Sequence, residues 1–272
     1  MSTRKNWTLS IVGIVIVALF LFPVYWMIIT AFKTQTEIFQ TPPTFFPETF
    51  QLDSFATVIE GGIGQYFLNS VIIAGCATIV VLVLAVPSAY GLARFKVKGV
   101  SSMMLVFLVT QMLPATVVLT PLFVVFNNLG LLNTYIAPVL ATATLGVPFS
   151  VLLLRTFFMG IPKELEEAAS IDGCGRLRAF LQVILPIALP SVMVCGAISF
   201  FFAWGDLIFS ITFNRDQELW PLTAGIFNAI GRYGIEWNNL MAFATISVLP
   251  VIIIFVSLQK HLVEGLVSGS VK

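Results

Sequence analysis

Proton transfer, metal binding and nucleophilic attack each need polar side chains gathered on one surface, and this chain offers few of them. It has one histidine, His261, and three cysteines, Cys76, Cys174 and Cys195, which lie far apart and form no C-x-x-C pair. A histidine-based triad, a zinc site and a disulfide framework are therefore not expected. None of H-E-x-x-H, G-x-S-x-G or G-x-x-x-x-G-K-[ST] occurs, so ATP binding through a P-loop of its own is excluded. Asp206 is the clearest acid inside an apolar run. A carboxylate at the bilayer centre costs roughly 2.5 to 3.5 kcal/mol, and a proton-coupled carrier normally shows several such groups facing one another. One acid is weak support for such a carrier, and neither a cofactor nor a metal is expected on the chain.

The stretch whose residue types and spacing are most informative is Ile161-Pro-Lys-Glu-Leu-Glu-Glu-Ala-Ala-Ser-Ile-Asp-Gly173. Pro162 suits the first turn of a helix, Glu164, Glu166 and Glu167 suit its positive end, and Gly173 suits a left-handed residue after its last turn. Leu165, Ala168, Ala169 and Asp172 recur at i, i+3, i+4 and i+7 and predict one face of little bulk, which another surface can approach closely. A second amphipathic piece, Arg176 to Ile184, is expected to stop at Leu185-Pro186. Two settings fit a short helix of this kind: the surface of the inner leaflet, or a protein partner. Anionic lipid attracts Lys and Arg, whereas this helix opens with three glutamates, which favours the partner.

The elements that must hold this loop are membrane spans. Of the 272 residues, 58% are hydrophobic and 10% charged, against about one quarter charged in ordinary soluble domains. Net charge is +1, which excludes the basic face that nucleic-acid binding needs. Runs long enough to cross about 30 Å of hydrocarbon occur six times: Leu9 to Phe32, Gln65 to Leu92, Ser101 to Phe126, Thr134 to Phe158, Pro186 to Thr212 and Leu240 to Lys260. The first follows Arg4 and Lys5 but is too long for a signal-peptide core and reads as an uncleaved anchor. Outside the runs, Lys and Arg alternate. Arg4, Lys5, Arg94, Lys96, Lys98, Arg155, Lys163, Arg176, Arg178, Lys260 and Lys272 fall on one side, and Lys33, Arg215 and Arg232 on the other. The positive-inside rule then places both termini in the cytoplasm and the loops Lys33 to Gly64 and Phe213 to Asn239 outside. Asn6-Trp7-Thr8, a formal glycosylation acceptor, falls on the cytoplasmic side and is read as chance. Nine prolines lie in or at the ends of the spans. They fit kinked helices around an internal path, and they equally fit the general tolerance of membrane helices for proline.

Glu167-Ala168-Ala169, Gly173, Val183 and Leu185-Pro186 stand at the spacing of the EAA loop, and the chain resembles the permease subunits of bacterial and archaeal ABC importers. Val183 stands where that pattern usually has Ile. The resemblance extends through Pro42-Pro43, Pro47, Asn69-Ser70, Ala89 to Phe95, Pro114, Pro121 to Phe123, Leu129 to Thr134, Trp204-Gly205-Asp206 and Gln259 to Lys272. Within the family it is similar to the second permease subunit of maltose-type carbohydrate importers.

The resemblance implies an all-α polytopic fold of type I ABC importer architecture. It is a single permease domain over residues 1–272, with a cytoplasmic coupling loop at 159–185 and a cytoplasmic tail at 261–272. It also implies the partners: a second permease in a heterodimer, two ATPase subunits that hold ATP and Mg, an extracytoplasmic substrate-binding protein and a carbohydrate cargo, in the cytoplasmic membrane. Leu165, Glu167, Ala168, Ala169, Asp172, Gly173, Leu185 and Pro186 are then the coupling residues, and Gly265 and Gly269 in the tail are further ATPase contacts. Trp220, Tyr233 and Trp237 lie in the outer segment where the binding protein docks. From the residues alone such rings can stack on sugars, but interfacial anchoring is the more common role. Asp206 is the one polar pathway candidate, since Gly205 replaces the Asn common in the family. A stand-alone secondary carrier or channel, and a non-sugar cargo such as glycerol phosphate, stay open as alternatives.

Overall fold

In lipid a backbone must satisfy its own hydrogen bonds, and runs with no strand alternation do so as helices. The computed structural model describes residues 3–232 and 236–268, and among them there is no strand. In chain order the helices are α1 (Thr3–Ala31), α2 (Gln35–Ile38), α3 (Asp53–Glu60), α4 (Ile63–Arg94), α5 (Val100–Met112), α6 (Ala115–Asn128), α7 (Ile136–Gly160), α8 (Glu164–Ile171), α9 (Arg176–Ala179), α10 (Leu185–Trp204), α11 (Ile208–Phe213), α12 (Leu222–Arg232) and α13 (Trp237–Ser268). Leu9–Ala31, Ile63–Arg94, Ile136–Gly160, Arg176–Trp204 and Trp237–Gln259 are long and apolar enough to cross a membrane. The bent pair α5 and α6 makes a sixth crossing if the two count as one.

Two expected spans differ in form. The run Ser101 to Phe126 is not one helix but two, bent by 101° at Leu113-Pro114. Pro114 disfavours helical backbone in the residue before it, and Leu113 is extended, with φ −75° and ψ 126°. The fifth span begins ten residues before Pro186 and ends at Trp204 rather than Thr212. At its start, Arg176 to Ile184 does not stop at Leu185-Pro186. It widens into a π-helical stretch, Phe180–Ile184, in which the Leu185 N–H reaches the Phe180 carbonyl, and the missing N–H of Pro186 then falls in the first turn of α10. At its end, Gly205 and Asp206 interrupt the helix. The Asp206 carboxylate accepts from the N–H groups of Phe209 and Ser210 at 3.2 and 3.0 Å and so starts α11 afresh.

Contacts gather the chain into two compact units: Met1–Gln65 with Gly225–Leu249, and Tyr66–Ala224 with Pro250–Lys272. In the first unit, Phe32 stacks on Phe50 at 4.6 Å, and the Gln51 amide donates to the Lys33 carbonyl at 2.6 Å. Glu37, nearly buried, accepts from the Thr44 hydroxyl and the Glu48 N–H at 2.8 and 2.9 Å, while Lys33 Nζ donates to the Thr44 carbonyl. Burial alone pushes the Glu37 carboxyl up. The Glu48 N–H, the Thr44 hydroxyl and the Lys33 charge outweigh it and hold the carboxyl below its usual 4.5. A lowered acid stabilises the fold above its unfolded-state value, and that contribution is lost as pH falls through the folded one. Hydrogen exchange over residues 34–51 is therefore expected to quicken, relative to its intrinsic rate, as pH falls below 4.5. Glu37→Gln should flatten that dependence, and an unchanged profile in Glu37→Gln would contradict the assignment.

In the second unit α4, α7 and α10 share the core through Val81, Ala85 and Ala89, through Val151, Leu154 and Phe158, and through Ala188 and Cys195. Alanines at 85, 89, 143 and 188 let the backbones approach, because membrane helices associate by close packing rather than by expulsion of water. At one end of this core Tyr90 meets Phe158 edge-on at 5.7 Å and Phe180 at 4.4 Å.

Candidate functional site

The loop between α7 and α10 forms the helix that the sequence predicts. Pro162 precedes α8, Glu164, Glu166 and Glu167 occupy its first turn, and Asp172 and Gly173 follow its last. Gly173 has φ +80°, and its N–H donates to the Ser170 carbonyl at 3.1 Å while the Cys174 N–H donates to the Ala169 carbonyl at 2.9 Å. These paired bonds and the left-handed glycine make a Schellman end, which closes the carbonyls that a bare terminus leaves open.

The expected face of Leu165, Ala168, Ala169 and Asp172 does not point one way. Ala169 is buried in its own chain at 6% exposure, so its small size serves an internal contact, whereas Ala168 and Asp172 are exposed and Leu165 is at 37%. The helix is turned by Arg94. Its Nε donates to Glu166 Oε1 at 2.6 Å and its Nη2 to the Ile161 carbonyl at 2.7 Å, with the Arg94 side chain 4% exposed. With Glu166 and Ala169 inward, the outward face becomes Glu164, Glu167, Ala168 and Ile171, the last 86% exposed. A groove of about 410 Å³ runs beside it, lined by Tyr90, Arg94, Phe95, Lys163, Glu166, Glu167, Ser170, Ile171, Arg176 and Ala179. Leu185 is half-buried and Pro186 exposed at the start of α10. An exposed isoleucine beside carboxylates and arginines suits recognition of another protein and provides no group for covalent chemistry.

The opposite end of the same unit is tied by residues whose role was not apparent from the sequence. Asn69, fully buried, donates through Nδ2 to the carbonyls of Glu218 and Trp220 at 2.7 and 2.8 Å and accepts from the Tyr135 hydroxyl at 2.8 Å. Ser70 Oγ accepts from the Leu222 N–H at 2.8 Å, and Asn133, at φ 56°, accepts from the Arg215 N–H at 2.7 Å. Together they hold segment 214–222, leaving Arg215, Asp216, Gln217 and Glu218 exposed. In the sequence these residues stood out only as part of the family resemblance, as Asn69-Ser70 and within Leu129 to Thr134, with no role attached.

Among the aromatic candidates, Trp220 is half-buried and its indole N–H donates to the Asn214 carbonyl at 2.8 Å. That bond anchors it to its own segment. Trp237 is 36% exposed at the start of α13, its N–H bonded to Gln35 Oε1 at 3.1 Å. Tyr233 and Gly269 lie outside the described residues, and Gly265 falls within α13. Asp206 lines a cavity of about 350 Å³ with Gln111, Thr142, Ser199 and Phe149. Its carboxylate is occupied by the α11 N–H groups and by the Ser210 hydroxyl at 2.7 Å, so it acts first as a cap.

Residues 81–267 match the family model described as binding-protein-dependent transport system inner membrane component. The chain is 36% identical over 251 residues to the probable ABC transporter permease protein YurM of Bacillus subtilis, covering 92% of this chain and 83% of that one. It is 33% identical to the diacetylchitobiose uptake system permease protein DasC of Streptomyces coelicolor, covering 97% and 96%. A crystal structure of a bacterial ABC transporter that imports the acidic polysaccharide alginate shares the fold, with TM-score 0.78 at 21% identity over 96% of this chain and 98% of that one.

Proposed function

The chain belongs to the family of binding-protein-dependent transport system inner membrane components, and from that premise we propose that it is one permease half of an ABC importer that moves a sugar or oligosaccharide into the cytoplasm by alternating access. The observation that carries this reading is α8: a short helix with three glutamates in its first turn and a Schellman end, fixed from within by Arg94 and presenting Glu167, Ala168 and Ile171 outward. Such a face is a docking surface for a separate ATPase subunit, and two ATPase subunits hold the ATP and Mg that this chain does not bind. The distribution of Lys and Arg supports a cytoplasmic position for α8 and for both termini, in the inner membrane of a bacterium or archaeon. A second, different permease completes the pathway, and an extracytoplasmic binding protein delivers cargo to the end that carries segment 214–222. A carbohydrate cargo is supported by the near full-length similarity to a permease of diacetylchitobiose uptake.

The test is affinity purification of the chain from its native membranes in mild detergent, with co-purifying proteins identified and ATP hydrolysis assayed. Recovery of a second multi-span permease and a P-loop ATPase is the expected result. A chain that runs alone, hydrolyses no ATP and still moves solute in liposomes overturns it in favour of a carrier. Within this reading the tail contacts the ATPase pair through Gly265 and Gly269. Deleting residues 264–272 is then expected to lower ATPase stimulation severalfold, and unchanged stimulation removes the tail from the interface.

A further inference from the structure

α4 is fastened to other parts of its unit near both of its ends. Near its start, Asn69 holds the carbonyls of Glu218 and Trp220 and Ser70 holds the Leu222 N–H, with both side chains buried. At its last residue, Arg94 holds Glu166 of α8 and the Ile161 carbonyl that leads into it. The helix runs unbroken through Pro87 between these points. At 1.5 Å per residue they stand about 38 Å apart, enough to traverse the hydrocarbon core.

Both fastenings join elements remote in sequence. α8 buries only Ala169. Its packing neighbours α9 and the π-helical stretch follow it directly in the chain, and its link to α4 runs through Arg94 and Tyr90, both of which reach Glu166. The bonds are charge-assisted and shielded from water at Arg94, and at Asn69 they come from a fully buried amide. A stiff helix with such attachments at each end transmits a displacement of one to the other, provided neither attachment gives way.

We infer that α4 is the element that carries displacement between segment 214–222 and α8, with Asn69 and Arg94 as its positioning residues. The inference rests on the importer reading above, in which the binding protein acts at one end and the ATPase at the other. Arg94 touches no nucleotide and acts only through α8.

The test uses the complete importer in lipid nanodiscs: this chain, its second permease and its ATPase subunits, probed with the binding protein recovered alongside them. The readout is the ratio of hydrolysis with the binding protein to hydrolysis without it, together with ATPase subunit retained per permease. Arg94→Met is expected to lower that ratio about fivefold or more, within the usual range of coupling between sites, while the ATPase subunit stays bound. Arg94→Lys, which keeps the charge but loses the fork that reaches both Glu166 and Ile161, should recover part of the ratio. Asn69→Leu should lower it from the other end. The double variant should be no worse than the weaker single one, because two breaks in one series linkage remove the same coupling. If Arg94→Met fails to accumulate, Arg94→Lys and Asn69→Leu carry the comparison. A wild-type ratio in these variants, losses that multiply in the double variant, or an ATPase subunit released by Arg94→Met each overturn the inference while leaving the importer reading intact. Absence of stimulation in the wild-type assembly overturns both.

Discussion

Gly173→Val is expected to abolish uptake while leaving the chain at normal abundance in the membrane. The space around Gly173 is open, with nothing within 4 Å of where a Cβ would sit, so the effect does not come from a clash. It comes from the backbone. At φ +80° an L-residue is strained by about 1 to 2 kcal/mol, and a β-branched one more, which moves a local two-state equilibrium roughly tenfold or further from the closed end of α8. Opening that end releases the Cys174 to Ala169 and Gly173 to Ser170 bonds and frees the outward face from its fixed angle. Gly173→Asn, which tolerates the left-handed region, should keep much of the uptake. Gly175→Ala, at φ −66° with open space around it, should keep nearly all. Uptake of the sugar held by the binding protein, set against permease abundance by immunoblot, gives the answer. Normal uptake by Gly173→Val would show that the Schellman end is dispensable for coupling.

The ends of α8 were legible because caps are local: Pro162, the three glutamates and Gly173 act within one turn of themselves. The direction in which α8 faces was not, because it depends on Arg94, 72 residues earlier, which by its place after an apolar run read only as a cytoplasmic charge. The spans were legible from apolar length alone. Their breaks were not, because six prolines, at 23, 87, 121, 148, 190 and 250, sit inside helices that continue, whereas Pro114 and Pro162 each follow an extended residue, Leu113 and Ile161, at which a helix ends. Whether a neighbouring helix re-satisfies the freed carbonyl is a tertiary matter that no single run encodes. Trp220 illustrates the same limit. Its ring reads from the sequence as an anchor more readily than as a sugar platform, and its anchoring partner, the Asn214 carbonyl, depends on the fold of segment 214–222 that Asn69 helps to hold.

Gly146 carried no such signal and is expected to be the most demanding packing position in the bundle. A Cβ there would stand 2.8 Å from Val81 Cγ2, and one at Gly196 would stand 3.2 Å from Leu82 Cδ1. Val81 and Leu82 are adjacent on α4, so glycines of α7 and of α10 both make room for one turn of that helix. Val81 is 1% exposed and β-branched, so it has little freedom to rotate aside, and α7 must move off α4 instead. Because close packing is what holds membrane helices together, Gly146→Val should cost about 1 to 3 kcal/mol and lower the unfolding midpoint in detergent by roughly 2 to 10 °C. Gly146→Ala should show a smaller loss, and adding Val81→Ala to it should restore most of the midpoint, since the second change removes the methyl group that the first one strikes. Gly75→Ala on the same helix, with nothing within 4 Å, is the matched control and should be neutral. A double variant no more stable than Gly146→Ala alone would mean that the α4 and α7 contact is not what limits this site.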